Sequence, residues 1–263
     1  MTQAAQRGRQ ARMVLINRVR RWLETNAASL PFKPRRLLSP IFENSSEELA
    51  YWRLSECGFQ PGAIIDIGAY VGEWTAKTRR FYPSAPILMI EAQESKRTEL
   101  EAVSRSTGAD LCIATLGETA GQKLTFYEMK TGSSLLPERS DVARTERQVT
   151  TETLDAIVSG WKPELSCLFV KIDVQGAELM VLSGGSKTLA RTDILQLELP
   201  LLSYNEGAPD LMTILSWLNE RGLVPFDIAG THRPYGCQPS QLDLLFARKD
   251  SAFRLNRFDG MIA

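Results

Sequence analysis

The stretch Ala63-Ile64-Ile65-Asp66-Ile67-Gly68-Ala69-Tyr70-Val71-Gly72-Glu73-Trp74-Thr75 decides how this chain is read. Apolar residues broken by one acid, then two glycines, then residues of helical type read as strand, tight loop and helix. An α/β domain can make such a turn for structural reasons alone, with Asp66 serving only as a helix cap. The loop therefore takes its meaning from what surrounds it.

Gly68 permits a sharp turn at the carboxyl end of the strand. Gly72 lets backbone approach a ligand at a helix start, where unpaired N–H groups point outward. A dinucleotide-binding loop reads G-x-G-x-x-G and sets its helix start against a pyrophosphate, which an acid at the strand end would repel. The order here is D-x-G-x-x-x-G, with Ala69 and Tyr70 where further glycines would stand. A carboxylate suits instead a ligand carrying positive charge and N–H donors, such as the aminoacyl end of S-adenosylmethionine. The acid that meets a ribose is expected roughly 20 residues beyond the loop. Glu91, closing the apolar run Ile87-Leu88-Met89-Ile90, takes that place, and its two oxygens can accept from both ribose hydroxyls.

With 263 residues, 43% hydrophobic and 24% charged, the chain suits one large α/β domain with an appendage, or two small domains. Lys+Arg and Asp+Glu both number 31, so no global charge steers it to nucleic acid. No apolar run reaches the ~18 residues of a transmembrane helix. The start, Met1-Thr2-Gln3-Ala4-Ala5-Gln6-Arg7, lacks the apolar core of a secretory signal. Cys57, Cys112, Cys167 and Cys237 are scattered without a C-x-x-C pair, which predicts buried or incidental thiols in a reducing cytoplasm and no structural metal site.

Residues 1–60 read as a basic extension and linker. Arg7, Arg9, Arg12, Arg18, Arg20, Arg21, Lys33, Arg35 and Arg36 face a single acid, Glu24, while Val14, Leu15, Val19, Trp22 and Leu23 recur at near-helical spacing. Such a helix can touch an anionic membrane surface, cover a substrate pocket or join a partner subunit in a homo-oligomer. A solvated helix lying on its own domain is the plainer reading. Pro31, Pro34 and Pro40 mark the linker. Ser45 with Glu48 makes a capping box for a helix carrying Leu49, Trp52 and Leu54, which can close over a cofactor.

Over 61–250 the pattern alternates strand and helix. A third strand is expected over 109–114, with Leu116 and Glu118 just beyond it, where ligands sit in open α/β sheets and an adenine ring can be met. An insertion then breaks the rhythm, with short strands at 123–128 and 147–151 around Gly132-Ser133-Ser134-Leu135. Ser133 and Ser134 can line a substrate pocket or serve only the turn. Thr153-Leu154-Asp155 opens a helix. In Leu168-Phe169-Val170-Lys171-Ile172-Asp173-Val174-Gln175-Gly176-Ala177-Glu178 a buried parallel strand ends on Asp173 and a helix starts near Ala177. As the fourth strand it brings Asp173 beside the cofactor loop, with Glu178 in the first helical turn, although either acid can serve helix-start electrostatics alone.

Glu198 closes a fifth strand over 194–199, and 210–220 reads as an amphipathic helix. The strands at 224–228 and 242–247 have no helix between them, which predicts one antiparallel strand at the sheet edge. His232, the sole histidine, lies in the loop joining them. A lone loop histidine is most often a surface residue, yet it suits proton transfer near neutral pH. Acceptor contacts are expected from 118–151, 203–209 and 230–238, and 251–263 is a tail.

Taken together these residues resemble the FkbM family of S-adenosylmethionine-dependent methyltransferases. The resemblance rests on Ile65 to Gly72, Ile90-Glu91-Ala92, Ala114-Thr115-Leu116-Gly117, Gly132-Ser133-Ser134-Leu135 and Thr153-Leu154-Asp155. It continues through Val170 to Glu178, Val181-Leu182-Ser183-Gly184 and Asp243-Leu244-Leu245-Phe246. K-I-D-V-x-G-A-E is the most specific block, and the whole spans residues 62–248. The resemblance implies a class I methyltransferase fold, a Rossmann-like three-layer sandwich on a mostly parallel seven-stranded sheet. It implies O-methylation of a hydroxyl on a sugar, polyketide or other natural-product acceptor, a small molecule or glycan.

Carried over, Asp66, Gly68 and Gly72 hold the methionine end of the cofactor, Glu91 holds the ribose, and Asp173 stands at the reaction centre. Ala69, Tyr70, Ala92, Leu116 and Asp173 itself join the cofactor-binding set. Ser133, Ser134, Glu178 and Glu198 face the acceptor. One departure is Gln175, where the family commonly has glutamate. Asp173 is the first choice to orient or deprotonate the hydroxyl, and His232 the second. A version with Mg²⁺ on Asp173 and Glu198 ranks below the metal-free one. The rivals are an NAD(P)-dependent oxidoreductase, which Asp66 and the missing middle glycine count against, and an inactive cofactor-binding partner or scaffold acting through the basic start.

Overall fold

The computed structural model describes residues 46–129, 131–162, 164–234, 238–252 and 254. The basic helix, the proline linker, Ser45, Cys237 and most of the tail lie outside the described residues. Ser46 apart, these belong to one compact unit, Glu47–Ala263. The chain runs α1 (Ser46–Glu56), β1 (Ala63–Ile67), α2 (Glu73–Thr78), β2 (Ile87–Glu91), a 3-10 turn at Glu94–Lys96, α3 (Arg97–Thr107), β3 (Asp110–Ile113) and β4 (Thr115–Leu116). After β5 (Lys123–Glu128) and β6 (Thr145–Glu152) come α4 (Leu154–Trp161), β7 (Leu168–Ile172), α5 (Glu178–Ser183), α6 (Ser186–Ala190) and β8 (Thr192–Pro200). Then follow α7 (Leu211–Glu220), β9 (Leu223–His232) and β10 (Gln241–Arg248).

Seven strands form one sheet in the order β3-β2-β1-β7-β8-β10-β9. β1 pairs in parallel with β2, Ile64 opposite Ile87, and with β7, Ile65 opposite Val170. The chain therefore works outward from β1 to β3 and returns to begin again at β7. That reversal makes the crevice at the carboxyl ends of β1 and β7 the place for a ligand. β10 is antiparallel to both β8 and β9. The antiparallel strand stands one place in from the edge, not at it, because α7 carries the chain from β8 past an open lane to β9 and the hairpin returns β10 into that lane.

β1, β2 and β7 are buried along their whole length, as parallel strands covered on both faces must be. Alternation sorts their side chains. Ile65, Ile67, Leu88 and Val170 pack with Leu154, Val158, Val181, Leu182, Ile214 and Leu218 from α4, α5 and α7. Ile64, Met89 and Phe169 pack with Tyr51, Leu54, Trp74 and Leu100 from α1, α2 and α3. α1 does not close over a cofactor. It is a layer helix whose Tyr51 ring meets the edge of Phe169 at 5.7 Å between centroids. Thr153 caps α4 by accepting from the Ala156 N–H at 3.2 Å, and Asp210 caps α7 by accepting from the Thr213 N–H at 2.7 Å. The insertion forms a second sheet, β4-β6-β5, beside the ligand edge.

At Gly68 the backbone turns with φ of 73°. A Cβ there would lie 1.9 Å from the Asp173 carbonyl oxygen. Neither partner can retreat freely, because the Gly68 N–H donates to Ile90 O at 2.9 Å and the Asp173 N–H to Ile67 O at 3.1 Å. Gly68→Ala is expected to cost more than about 2 kcal/mol, against about 1 for Gly108→Ala, a left-handed glycine with open space around it. Denaturant unfolding of the two variants checks the difference.

Candidate active site

Two cavities meet at the carboxyl ends of the parallel strands. The first, about 140 Å³, is lined by Gly68, Tyr70, Glu91, Ala92, Leu116, Phe126, Ser133, Ser134 and Asp173, with others. Glu91 is 4% exposed and closes β2. Its Oε2 accepts from the Tyr70 N–H at 2.7 Å and its Oε1 from the Gln93 N–H at 2.8 Å. Tyr70 holds φ of 51°, rare for a side chain of this bulk, and this bond anchors it there. Burial raises the Glu91 carboxyl above its ordinary range, against the pull of those N–H groups and Lys171. Each oxygen keeps a lone pair for another donor, so the site fits two vicinal hydroxyls.

Asp66 is fully buried and does not line this cavity. It shares the Ile64 face of β1, where its Oδ2 accepts from Thr75 Oγ1 at 2.7 Å. Its Oδ1 lies 3.5 Å from Lys171 Nζ, an ionic contact that leaves this oxygen without a hydrogen bond. Lys171 also reaches Asp173 Oδ2 at 3.4 Å and donates to the Gly68 carbonyl at 3.2 Å. Gly72 and Ala69 are not in the cavity wall either. A Cβ on Gly72 would press on Val103 at 3.0 Å, so its bareness serves the packing of α2 on α3. Ala69 is buried in the core on that side.

The second cavity, about 320 Å³, is lined by Gln175, Glu178, Glu198, Gln241 and the segment from Pro200 to Pro209, and it ends on α7. The expected loop 203–209 is thus part of its wall. Ser133 and Ser134 line the first cavity instead, where Ser134 Oγ donates to Gln175 O at 2.8 Å. Glu118 is exposed and borders a separate hollow with Leu182, Trp217 and Arg221. His232 is exposed at the end of β9, opposite Gln241, with its carbonyl accepting from the Ser240 N–H at 2.8 Å.

Gln175 and Gln241 are the site residues that sequence reasoning did not place. Gln175 lines both cavities, and its Nε2 donates to Asp173 Oδ1 at 2.7 Å and to Glu198 Oε1 at 2.8 Å. Gln241 Nε2 donates to the same Glu198 oxygen. The departure from glutamate at position 175 signalled the first, while nothing in the sequence marked the second.

The profile of the Methyltransferase FkbM domain matches residues 66–224, more than half of the chain. This chain belongs to the FkbM methyltransferase family. Membership sets aside the oxidoreductase alternative. No curated protein matches the chain. Among solved structures it is similar to methyltransferase FkbM from Methylobacillus flagellatus KT, at 16% identity and a TM-score of 0.47 over 71% of this chain and 43% of that one, so it spans less than half of that protein. It is also similar to magnesium protoporphyrin IX methyltransferase from Synechocystis PCC 6803 with bound S-adenosylmethionine, at 10% identity and a TM-score of 0.46 over 88% and 90% of the two chains. A putative RNA methyltransferase from Pyrococcus horikoshii matches at 11% identity and a TM-score of 0.42 over 78% and 84%. With TM-scores below 0.5 these likenesses say nothing of what this chain binds.

Around the junction the FkbM domain gathers acids. Glu198 and Asp243 are directly opposed on β8 and β10. Burial, then repulsion from Asp173 and Asp243, pushes the Glu198 carboxyl well above the usual range. Burial, then Glu47 and Asp173, pushes Asp243 up to about 7. Glu178 is 1% exposed, and its Oε1 accepts from the Gly176 N–H at 3.1 Å while Oε2 has no hydrogen-bond partner. Burial pushes Glu178 up to about 7 despite those backbone bonds, and Asp173 adds to the rise. Among the described residues no group of three or more His, Cys, Asp or Glu side chains is placed to hold a metal ion.

A carboxyl raised in the folded state binds a proton that the unfolded chain has released, so stability falls as pH rises between the two pKa values. For Glu178 that window runs from 4.5 to about 7. Glu178→Gln is expected to flatten the decline across this window and to stabilise the protein above it by on the order of 1–3 kcal/mol. Unfolding midpoints measured from pH about 5 to 8 check it.

Proposed function

We propose that this chain transfers the methyl group of S-adenosylmethionine to a hydroxyl oxygen of a sugar, polyketide or other natural-product acceptor, and works in the cytoplasm. The observation that carries the reading is the meeting of two cavities at Gln175, one walled by the glycine loop, Glu91 and Asp173, the other by the segment after β8. The compartment is supported by the free thiols of Cys57, Cys112 and Cys167. Among the described residues no helix is long and apolar enough to cross a membrane.

The donor set of the first cavity fits the cofactor. Glu91 offers two acceptor oxygens for ribose hydroxyls, Gly68 and Tyr70 border the side where the methionine end would lie, and Leu116 and Phe126 offer apolar surface for the adenine. At about 140 Å³ the cavity is smaller than the ~300 Å³ usual for ligand pockets, and it adjoins the second cavity at Gln175.

Bound there, S-adenosylmethionine supplies a methyl group on a sulfonium that is already a good leaving group. The protein must then align an acceptor oxygen and remove its proton. Asp173 is built to do this, with Oδ1 held by Gln175 and Oδ2 by Lys171. Asp173 would take the proton that the acceptor hydroxyl gives up when its oxygen receives the methyl group in place of the sulfur. Glu198, whose raised basicity and bond to Gln175 place it next in reach, is a better second acceptor than the exposed His232. With an amide at position 175, the residue donates to Asp173 where the family's usual glutamate would repel it.

Transfer from a methyl-labelled donor to a panel of hydroxyl acceptors, with calorimetry for cofactor binding, tests the assignment. Asp173→Asn is expected to lower turnover about 100-fold or more and leave cofactor Kd within a few-fold, while Glu91→Gln weakens cofactor binding about tenfold. Unchanged turnover in Asp173→Asn, or tight cofactor binding with no transfer to any acceptor, would overturn it.

A further inference from the structure

Glu178 borders the second cavity, yet its carboxyl is buried and serves the loop that joins β7 to α5. One oxygen, Oε1, accepts from the Val174 N–H at 3.3 Å and from the Gly176 N–H at 3.1 Å, the two groups that flank Gln175. Ser134 Oγ holds the Gln175 carbonyl itself at 2.8 Å. Between these ties φ is positive at two successive residues, 55° at Gln175 and 99° at Gly176. Glycine takes that conformation freely, and a Cβ on Gly176 would meet Ala208 at 2.9 Å. Gln175 does not, because a side chain in the left-handed region crowds its own backbone. Such strain persists where the side chain is put to use. Here Nε2 donates to Asp173 Oδ1 at 2.7 Å and to Glu198 Oε1 at 2.8 Å, which engages both amide hydrogens.

We propose that Glu178 is a positioning residue: by gathering the N–H groups on either side of Gln175 onto one oxygen, it holds the strained turn that aims the Gln175 amide at Asp173 and Glu198. Its carboxyl acts through Gln175 and meets neither reactant. Its part in turnover rests on the reading of Asp173 as the residue that takes the acceptor's proton. Without the hold, the backbone at 175 can relax to negative φ and swing the amide away, leaving Asp173 and Glu198 to repel each other. Burial raises the Glu178 carboxyl to about 7, so both protonation states are present near neutral pH. Oε1 accepts in either state, because a proton on Oε2 leaves the other oxygen's lone pairs in place. The turn therefore requires reach from position 178, not charge.

Two substitutions separate reach from charge. Glu178→Gln keeps an acceptor oxygen at the same reach and removes the charge, whereas Glu178→Asp keeps the charge on a shorter side chain. In the full chain labelled with ¹⁵N, nuclear magnetic resonance reports the Gln175 side-chain NH₂ directly, its signals identified by their loss in Gln175→Leu. In the wild-type protein those hydrogens are expected to exchange with water about tenfold more slowly than those of an exposed glutamine. Glu178→Gln is expected to keep that protection within about twofold, and Glu178→Asp to lose most of it. Glu178→Met, which fills the space without an acceptor oxygen, replaces Glu178→Asp should that variant fail to fold. With an acceptor of the panel that is methylated, kcat is expected to fall about tenfold further in Glu178→Asp than in Glu178→Gln. An unprotected wild-type amide, protection lost in Glu178→Gln, protection kept without the reach, or equal kcat in the two variants overturns the proposal. A protected amide in a wild-type chain that methylates no acceptor would instead overturn the methyl-transfer reading.

Discussion

One buried ammonium holds the carboxyl edge of the sheet together. Lys171, 8% exposed near the end of β7, stands between Asp66 of β1 and Asp173 just beyond β7, with the Gly68 carbonyl as its third contact. Burial opposes its charge, yet Asp173 and Asp66 hold it protonated well above the usual lysine range. Removing either kind of partner from such a group leaves an uncompensated charge in a medium that cannot solvate it. The lysine therefore fixes three things at once: the β1–β7 pairing at the switch in strand order, the path of the glycine loop, and the orientation of Asp173.

Much of this edge was legible in the sequence. Glycines paired with strand-ending acids announce a loop at a fixed place on the sheet, and Glu91 closes β2 while Asp173 follows β7, both in the wall of the first cavity. Asp66 was expected at the methionine end of the cofactor. Its place one residue before the strand end gives it the Ile64 face, as period-two alternation dictates, so it meets Thr75 and Lys171 beneath the loop and not the cavity above. The same pattern could not locate the antiparallel strand, because hairpin strands carry no label for the lane they enter. The larger cavity was legible only as a loop region. Its acids gather from β8, α5 and the α7 cap, and no sequence spacing records such a meeting.

The insertion and the segment after β8 do not act as separate loops. Asn205 Nδ2 donates to Leu136 O at 2.9 Å and the Arg139 N–H donates to Tyr204 O at 2.8 Å, while Ser134 holds the Gln175 carbonyl. The wall of the first cavity is thereby stitched to the wall of the second through the residue that divides them. A displacement of either wall would therefore pull on the amide that bonds Asp173 and Glu198.

The inserted position of β10 has a consequence for how the molecule comes into being. Gln241, at its start, steadies Glu198, and the strand enters between β8 and β9. A chain emerging from the ribosome completes the wall of the first cavity early, since every strand that wall requires precedes α5. The second cavity stays unfinished, with the flank of β8 open to mispairing or to a chaperone, until the final hairpin has threaded home. Competence thus arrives late and all at once, and no translation intermediate lacking that hairpin has both cavities in place.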